Sequence, residues 1–261
     1  MRIPIVCPSK GRAENVLTKK VVSPLIIVCP ENEREEYVKH NSECEVICPP
    51  ESVVGIAATR QWILEKYDTV FMIDDDCLWI YHIGLKTGTP TRRLSQTDVA
   101  DLIQATYEAA LDINAGLFGF NNSKDIRMFD GLTPYKFSGY VLGQAMGVIA
   151  AKKNNLMYDT RYLCADDYYI SLLNAYHNRY IYKDQRFGTS WEQTGYNAGG
   201  NSMQRNLENE KEDFLLLKKQ FGDAVQAKRE NPMKKTGTNG VTDQNKISNR
   251  HPYERTINLP F

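Results

Sequence analysis

Long apolar runs are missing from this chain of 261 residues. None approaches the ~20 residues that a helix needs to cross a bilayer, which excludes a membrane-spanning helix. No leader is visible, because a strand-like segment, Arg2 to Cys7, follows the first methionine directly. Net charge is also missing: 32 basic residues balance 32 acidic ones, which argues against a strong nonspecific nucleic-acid binder. Histidine is scarce, at four, and Cys44-x-x-x-Cys48 has no second pair at zinc-like spacing. Cys7, Cys29 and Cys48 each end an apolar run, where a small buried thiol fits. The six cysteines read as reduced and structural, in a cytoplasmic protein. Neither Gly-x4-Gly-Lys-Ser/Thr nor Gly-x-Gly-x-x-Gly occurs, nor does an internal repeat or a clear linker between two cores.

What is present suits one globular domain with an appendage. The chain is 42% hydrophobic, and 15 Tyr, 9 Phe and 3 Trp supply bulk for a core. Charge is unevenly spread. Residues 1–227 hold 25 basic and 29 acidic residues, whereas residues 228–261 hold 7 basic and 3 acidic ones. The expected division is therefore one main domain over 1–227 and a basic, Gly/Asn/Thr-rich tail over 228–261. Such a tail suits a polyanion or a nucleotide phosphate and could pack on or close the site, unless it is merely solvated.

The first half alternates strand and helix signals. Ile3–Cys7, Leu25–Cys29, Cys44–Cys48 and Val70–Ile73 read as strands. Between them lie helical stretches near Ala13–Lys19, Glu31–His40 and Gly55–Tyr67. That rhythm argues for βαβ units, hence an α/β fold with a mostly parallel central sheet flanked by helices. Ser95-x-x-Asp98 opens a long amphipathic helix, Val99 to Ile113, with a capping box. Gly116–Phe120, Gly147–Ala151 and Arg179–Tyr182 read as further strands. Asp166–Tyr176 and Asn206–Phe221 read as helices.

Three places carry candidate chemistry. Asp74-Asp75-Asp76 ends the apolar strand Val70–Ile73. Carboxylates stacked there repel one another unless a cation joins them, and hard oxygen ligands suit Mg²⁺ or Mn²⁺. Ligands of open α/β sheets bind at that carboxyl end, although acidic turns after strands are also common. Pro8-Ser9-Lys10-Gly11-Arg12 ends the first strand. There Gly allows close backbone approach, and Lys10 and Arg12 favour an anion, unless the segment is an ordinary turn. Arg60 lies early in the helix before the triplet, where it could reach a phosphate or sit solvated.

The order of these motifs resembles the GT-A glycosyltransferases. Pro-Ser-Lys-Gly-Arg, then Gly55-Ile-Ala-Ala-Thr-Arg60, then a strand ending in Asp-Asp-Asp, is similar to the TET-associated DNA glycosyltransferases of phages, kin of the base J glucosyltransferase. The likeness is sharpest over residues 3–80. It implies a nucleotide-sugar-binding α/β sandwich, with Pro8, Ser9, Lys10, Gly11, Arg12, Arg60, Asp74 and Asp75 around the nucleotide. Asp74 would contact the ribose, and Asp76, with Asp74, the metal bridging the diphosphate. Asp75 points to the other side of the strand end and also has a structural reading. A late histidine is the third metal ligand in many such enzymes, which selects His251. Asp166-Asp167 matches the acidic pair before the acceptor-side helix of many inverting members. Asp167 is the expected base, with Asp166 as its orienting partner; both acids could instead cap the helix. Gln144, in a Gly-flanked segment, could bond sugar hydroxyls, and Asp130-Gly131 and Gly199–Ser202 could line the pocket.

The resemblance implies an Mn²⁺- or Mg²⁺-dependent, inverting transfer from a UDP-sugar, with UDP-glucose the donor to expect first. The acceptor would be the hydroxymethyl group of 5-hydroxymethylcytosine or 5-hydroxymethyluracil in phage DNA, within the host cytoplasm. Stacking on a flipped base could come from Trp79-Ile80-Tyr81, Tyr168-Tyr169 or Trp191–Tyr196, although most aromatics pack in cores. Two other readings stay open: a GT-A enzyme acting on a glycan, protein or lipid, and a non-catalytic nucleotide- or DNA-binding module.

Overall fold

The computed structural model describes residues 2–83, 92–121, 129, 131–192, 200, 204–227 and 253–258. Four short strands, β1 (Ile5–Pro8), β2 (Ile26–Val28), β3 (Glu45–Ile47) and β4 (Val70–Ile73), lie in the order β3-β2-β1-β4 and run parallel. Helix α1 (Arg34–His40) joins β2 to β3, and α2 (Ile56–Tyr67) joins β3 to β4. Strands covered on both faces must be apolar throughout, which is why Val70–Ile73 reads as an unbroken run. Alternate residues serve opposite layers. Phe71 and Ile73 join Ile5, Cys7, Ile27 and Tyr37 in one cluster, whereas Val70 and Met72 join Val6, Val28, Ile63 and Leu64 in the other.

The sheet continues beyond β4. Strand β9 (Ala145–Val148) runs antiparallel to both β4 and β7 (Leu117–Asn121). A methyl group on Gly147, at the centre of β9, would overlap the Phe118 ring, so only glycine fits there. Strand β10 (Ile181–Trp191) begins parallel to β7. Farther on it pairs antiparallel with β5 (Cys77–His82), and β6 (Arg92–Arg93) forms the edge. Strand β8 (Tyr135–Lys136) adds to β10 from the side. Three longer helices follow: α3 (Gln96–Asp112), α4 (Asp166–His177) and α5 (Leu207–Phe221). Helix α3 starts with the expected box between Ser95 and Asp98 and covers the Phe71 face through Val99 and Ile103. A separate ribbon, β11 (Val225–Ala227) with β12 (Arg255–Ile257), packs with α4 and α5 around Tyr162, Tyr169 and Leu217. Among the described residues, no helix is long and apolar enough to cross a membrane.

Two expectations change. The stretch Ala13–Lys19 is no α-helix but two 3₁₀ turns, Ala13–Asn15 and Leu17–Lys20. The N–H groups of Leu17 and Thr18 point to the Asp75 carbonyl, at 2.8 and 3.2 Å, instead of to the preceding turn. The strand expected at Arg179–Tyr182 runs on to Trp191. Its middle is polar yet buried at Lys183, Asp184 and Gln185, so the apolar pattern that marks a strand stops early.

Candidate active site

The turn after β4 is pinned through its backbone. The Thr18 hydroxyl donates to the Asp74 carbonyl at 2.5 Å and accepts the Cys77 N–H at 3.1 Å. The Asp74 N–H reaches the Gln144 carbonyl at 2.9 Å. With the chain fixed, the pleat sends neighbouring carboxylates to opposite layers.

Asp75 turns toward the β1 loop. It is buried and accepts from the Ser9 hydroxyl and from Arg12 Nη1, each at 2.5 Å. Ser9 also bonds the Tyr37 hydroxyl at 2.7 Å, and that hydroxyl accepts the Arg12 N–H at 3.1 Å. Within Pro8–Arg12, then, Pro8 and Ser9 are buried and Arg12 is bound to Asp75 and approaches Asp76 at 3.8 Å. Lys10 and Gly11 are exposed, and the Lys10 ammonium has no partner among the described residues. The Gly200 N–H closes over this loop, reaching the Lys10 carbonyl at 2.9 Å.

Asp74 turns toward α2. There Arg60 is not solvated but 4% exposed. Its Nη2 meets Asp74 Oδ1 at 2.7 Å, its Nη1 meets Asp166 Oδ2 at 2.6 Å, and Nη2 also reaches the Gly143 carbonyl at 3.0 Å. Burial works against the charged guanidinium, but Asp166 and Asp74 outweigh it and hold the cation firmly protonated. One side chain thus joins the triplet to the acidic pair, 92 residues further along the chain.

Asp166 and Asp167 open α4. Asp166 is buried against Arg60, whereas Asp167 is part-exposed. Asp167 accepts the Tyr168 N–H at 2.8 Å and the Gly143 N–H at 3.3 Å. Burial, then the Asp166 charge, pushes its carboxyl up, against the pull of Arg60 and the two N–H groups. A carboxylate raised this way is the better proton acceptor near neutral pH. A Cβ on Gly143 would lie 2.7 Å from both Arg60 Nη1 and Asp167 Cβ, so glycine is what allows them to meet.

The triplet carries more negative charge than the protein neutralises. Burial, opposed by Arg60, raises Asp74 to about 6. Burial and the two neighbouring aspartates raise Asp76 to about 7. Asp76 Oδ1 is buried with no hydrogen-bond partner. Glu192 stands opposite Asp76, its N–H on the Asp76 carbonyl at 3.0 Å, and Glu192 Oε2 is likewise buried and unpartnered. Orphaned buried carboxylate oxygens are costly, and they are hard donors of the kind a divalent cation takes, although among the described residues the three carboxylate or imidazole groups whose ligand atoms lie within 4.8 Å of one another are Glu14, Glu36 and His40. His251, Asp130, Gly199, Asn201 and Ser202 lie outside the described residues, as do residues 193–196 of the aromatic segment.

Several of these groups were not singled out in the sequence. Thr18, Tyr37 and Glu192 act through backbone bonds or cross-sheet pairing. Tyr158 lies buried beside Arg60 with its phenol pushed far up, chiefly by burial. Of the aromatics, Tyr169 is core, stacked on Tyr162. Tyr168, next to Asp167, stacks on Tyr140 at 5.0 Å. Trp79 is 37% exposed beneath Arg93, 3.9 Å from its ring.

The parallel strands β1–β4, the charged triplet at the end of β4 and the acid pair that opens α4 form an α/β architecture whose charged groups meet through Arg60. The chain belongs to the TET-associated glycosyltransferase family, whose model matches residues 3–200. No curated protein matches it at a significant level. Among solved structures, S. aureus TarS 1-349 in complex with UDP-GlcNAc is similar at 10% identity and a TM-score of 0.48, over 84% of this chain and 67% of that one. TarS 1-349 alone gives 11% and 0.47, with 66% of its chain covered, and the longer TarS chain is covered over 40%. A mycobacterial protein gives 11% and 0.49 over 89% of this chain and 80% of its own. At these identities and scores the likenesses add nothing to the family assignment.

Proposed function

We propose that this protein moves a sugar from a UDP-sugar to the hydroxymethyl group of a 5-hydroxymethylpyrimidine in DNA, with a divalent metal ion and inversion at the sugar. The observation that carries the reading is the Arg60 bridge, 2.7 Å from Asp74 and 2.6 Å from Asp166. It joins Asp74 of the triplet to Asp166, the neighbour of the proposed base.

Asp76, with Asp74 and Glu192, would hold Mn²⁺ or Mg²⁺; His251 is the further candidate. The ion supplies Lewis-acid neutralisation of the departing diphosphate. Exposed Lys10 would face the same anion, whereas the Gly11 N–H donates to Glu33 Oε2 at 2.6 Å. Ser9, Arg12 and Asp75 shape that loop, and Gln144 fixes Asp74 through its carbonyl. Asp167 takes the proton of the acceptor hydroxyl. The hydroxyl oxygen then bonds the anomeric carbon as the bond from that carbon to the UDP oxygen breaks. Asp166, paired with Arg60 Nη1 at 2.6 Å, would orient its neighbour. UDP-glucose is the first donor to try, and the cytoplasm holding such DNA is the expected place of action.

The test incubates the protein with Mn²⁺, a panel of UDP-sugars, and DNA with or without 5-hydroxymethylcytosine or 5-hydroxymethyluracil, then weighs the nucleosides. A hexose mass added only to the hydroxymethylated bases is expected. Asp76→Ala is expected to lose metal-dependent transfer while keeping the fold. Asp167→Asn is expected to lose turnover while keeping donor affinity. UDP release without sugar on any DNA would move the acceptor to a glycan, protein or lipid. Metal-dependent UDP binding with no release would leave a non-catalytic binding module.

A further inference from the structure

Helix α4 lacks a cap of its own. Ala165 precedes it and offers no side-chain acceptor, although the first N–H groups of a helix need one. The turn just before the helix is held instead, by a carboxylate on a distant helix. Asp213, on α5, is 2% exposed. Its carboxylate accepts the Cys164 N–H at 2.7 Å and the Leu163 N–H at 3.2 Å through the same oxygen. The Ala165 N–H adds to them. These three N–H groups belong to the turn that leads directly into Asp166 and Asp167.

The cost of that placement argues for a purpose. Burial raises the Asp213 carboxyl to about 6 even though three backbone N–H groups pull it down. One turn earlier on the same side of α5, buried Glu210 pairs with Arg255, whose guanidinium lies over the Tyr168 ring at 5.4 Å. Helix α5 therefore grips the start of α4 at two points, on the turn before the acid pair and on the residue after it.

We infer that Asp213 is a positioning residue for Asp167: its carboxylate, clamped on the Leu163–Ala165 N–H groups, sets where the base stands relative to the donor. The inference rests on Asp167 being the base. A misplacement of ~1 Å costs roughly 10²-fold in turnover. Asn at 213 keeps the size of the side chain but turns an N–H₂ group toward donors.

The experiment compares wild type, Asp213→Asn, Asp213→Glu and Asp167→Asn by steady-state UDP release, to DNA or to water, and by amide hydrogen exchange. Asp213→Asn is expected to lose kcat by about 10²-fold with donor KM unchanged, and Asp213→Glu to recover part of it. Exchange is expected to quicken over residues 162–168 and nowhere else. Unchanged kcat in Asp213→Asn, with Asp167→Asn inactive, overturns the inference and leaves the base assignment standing. Full turnover in Asp167→Asn removes the base reading itself. Unchanged exchange at 162–168 in Asp213→Asn overturns the clamp whatever the activity.

Discussion

At the scale of a residue, Arg60 decides most. A buried guanidinium between two carboxylates is a poor stabiliser against a well-packed apolar core, but removing it strands both partners. Breaking a buried pair in this way costs about 3–5 kcal/mol. Arg60→Met is therefore expected to lower the urea midpoint strongly and to stop UDP release. Arg60→Lys is expected to recover stability only in part, because an ammonium cannot span Asp74 and Asp166 as the planar fork does. A midpoint equal to wild type in Arg60→Met would show that the two acids find other partners.

The same residue shows what a sequence displays and what it hides. Arg60 was legible as a cation near the strand ends because helix α2 starts beside them. Its burial was not, because the partner Asp166 lies far along the chain. Asp75 was legible as the odd member of the triplet, since the pleat alternates. Thr18 and Tyr37 were not, because their work is done by one hydroxyl on another segment's backbone.

At the scale of an element, β10 is the instructive strand. Its first half pairs parallel with β7 and its second half antiparallel with β5, so it needs no single apolar pattern. It buries Lys183, whose ammonium reaches the Tyr140 carbonyl at 3.4 Å and lies over the Tyr140 ring at 5.8 Å, opposite Lys136 on β8. Burial, helped by Lys136, lowers this lysine from 10.5 to about 8. Between those values the unfolded chain holds the extra proton, so stability rises with pH across the window and is lost as pH falls toward 8. The penalty at pH 7 is on the order of 3 kcal/mol, at 1.36 kcal/mol per unit. Lys183→Met is expected to raise the urea midpoint at pH 7, with the gain shrinking from pH 8 and gone above 10.5. A gain independent of pH would mean that packing, not charge, explains it. Helix α5 makes the matching point. Glu-Asn-Glu-Lys-Glu-Asp reads as a solvated face, yet Glu210 and Asp213, three apart, share the buried side.

At the scale of the whole molecule, the chain returns to its own site. Charge neutrality, the absence of long apolar runs and the strand–helix rhythm made the α/β class legible. The ribbon at the end was not, because β11 and β12 are three residues each and far apart in sequence. Their pairing brings Arg255 onto Glu210 and over Tyr168, beside the proposed base. A protein ending at Ala227 would lose that pairing. Glu210 would keep Arg205, at 3.1 Å, but lose Arg255, and the cluster of Tyr162, Leu217 and Val225 would lose the cover of Ile257. The shortened chain is expected to fold, because the ten-stranded sheet is untouched. It is expected to melt several degrees lower, about what losing 1–2 kcal/mol costs a chain this size. Its UDP release is expected to fall more steeply than its donor affinity, since the loosened seam is on the acceptor side. Calorimetry and steady-state kinetics on the two lengths check this. If the short form released UDP at the full rate, the basic end of the chain would have no part in setting the base.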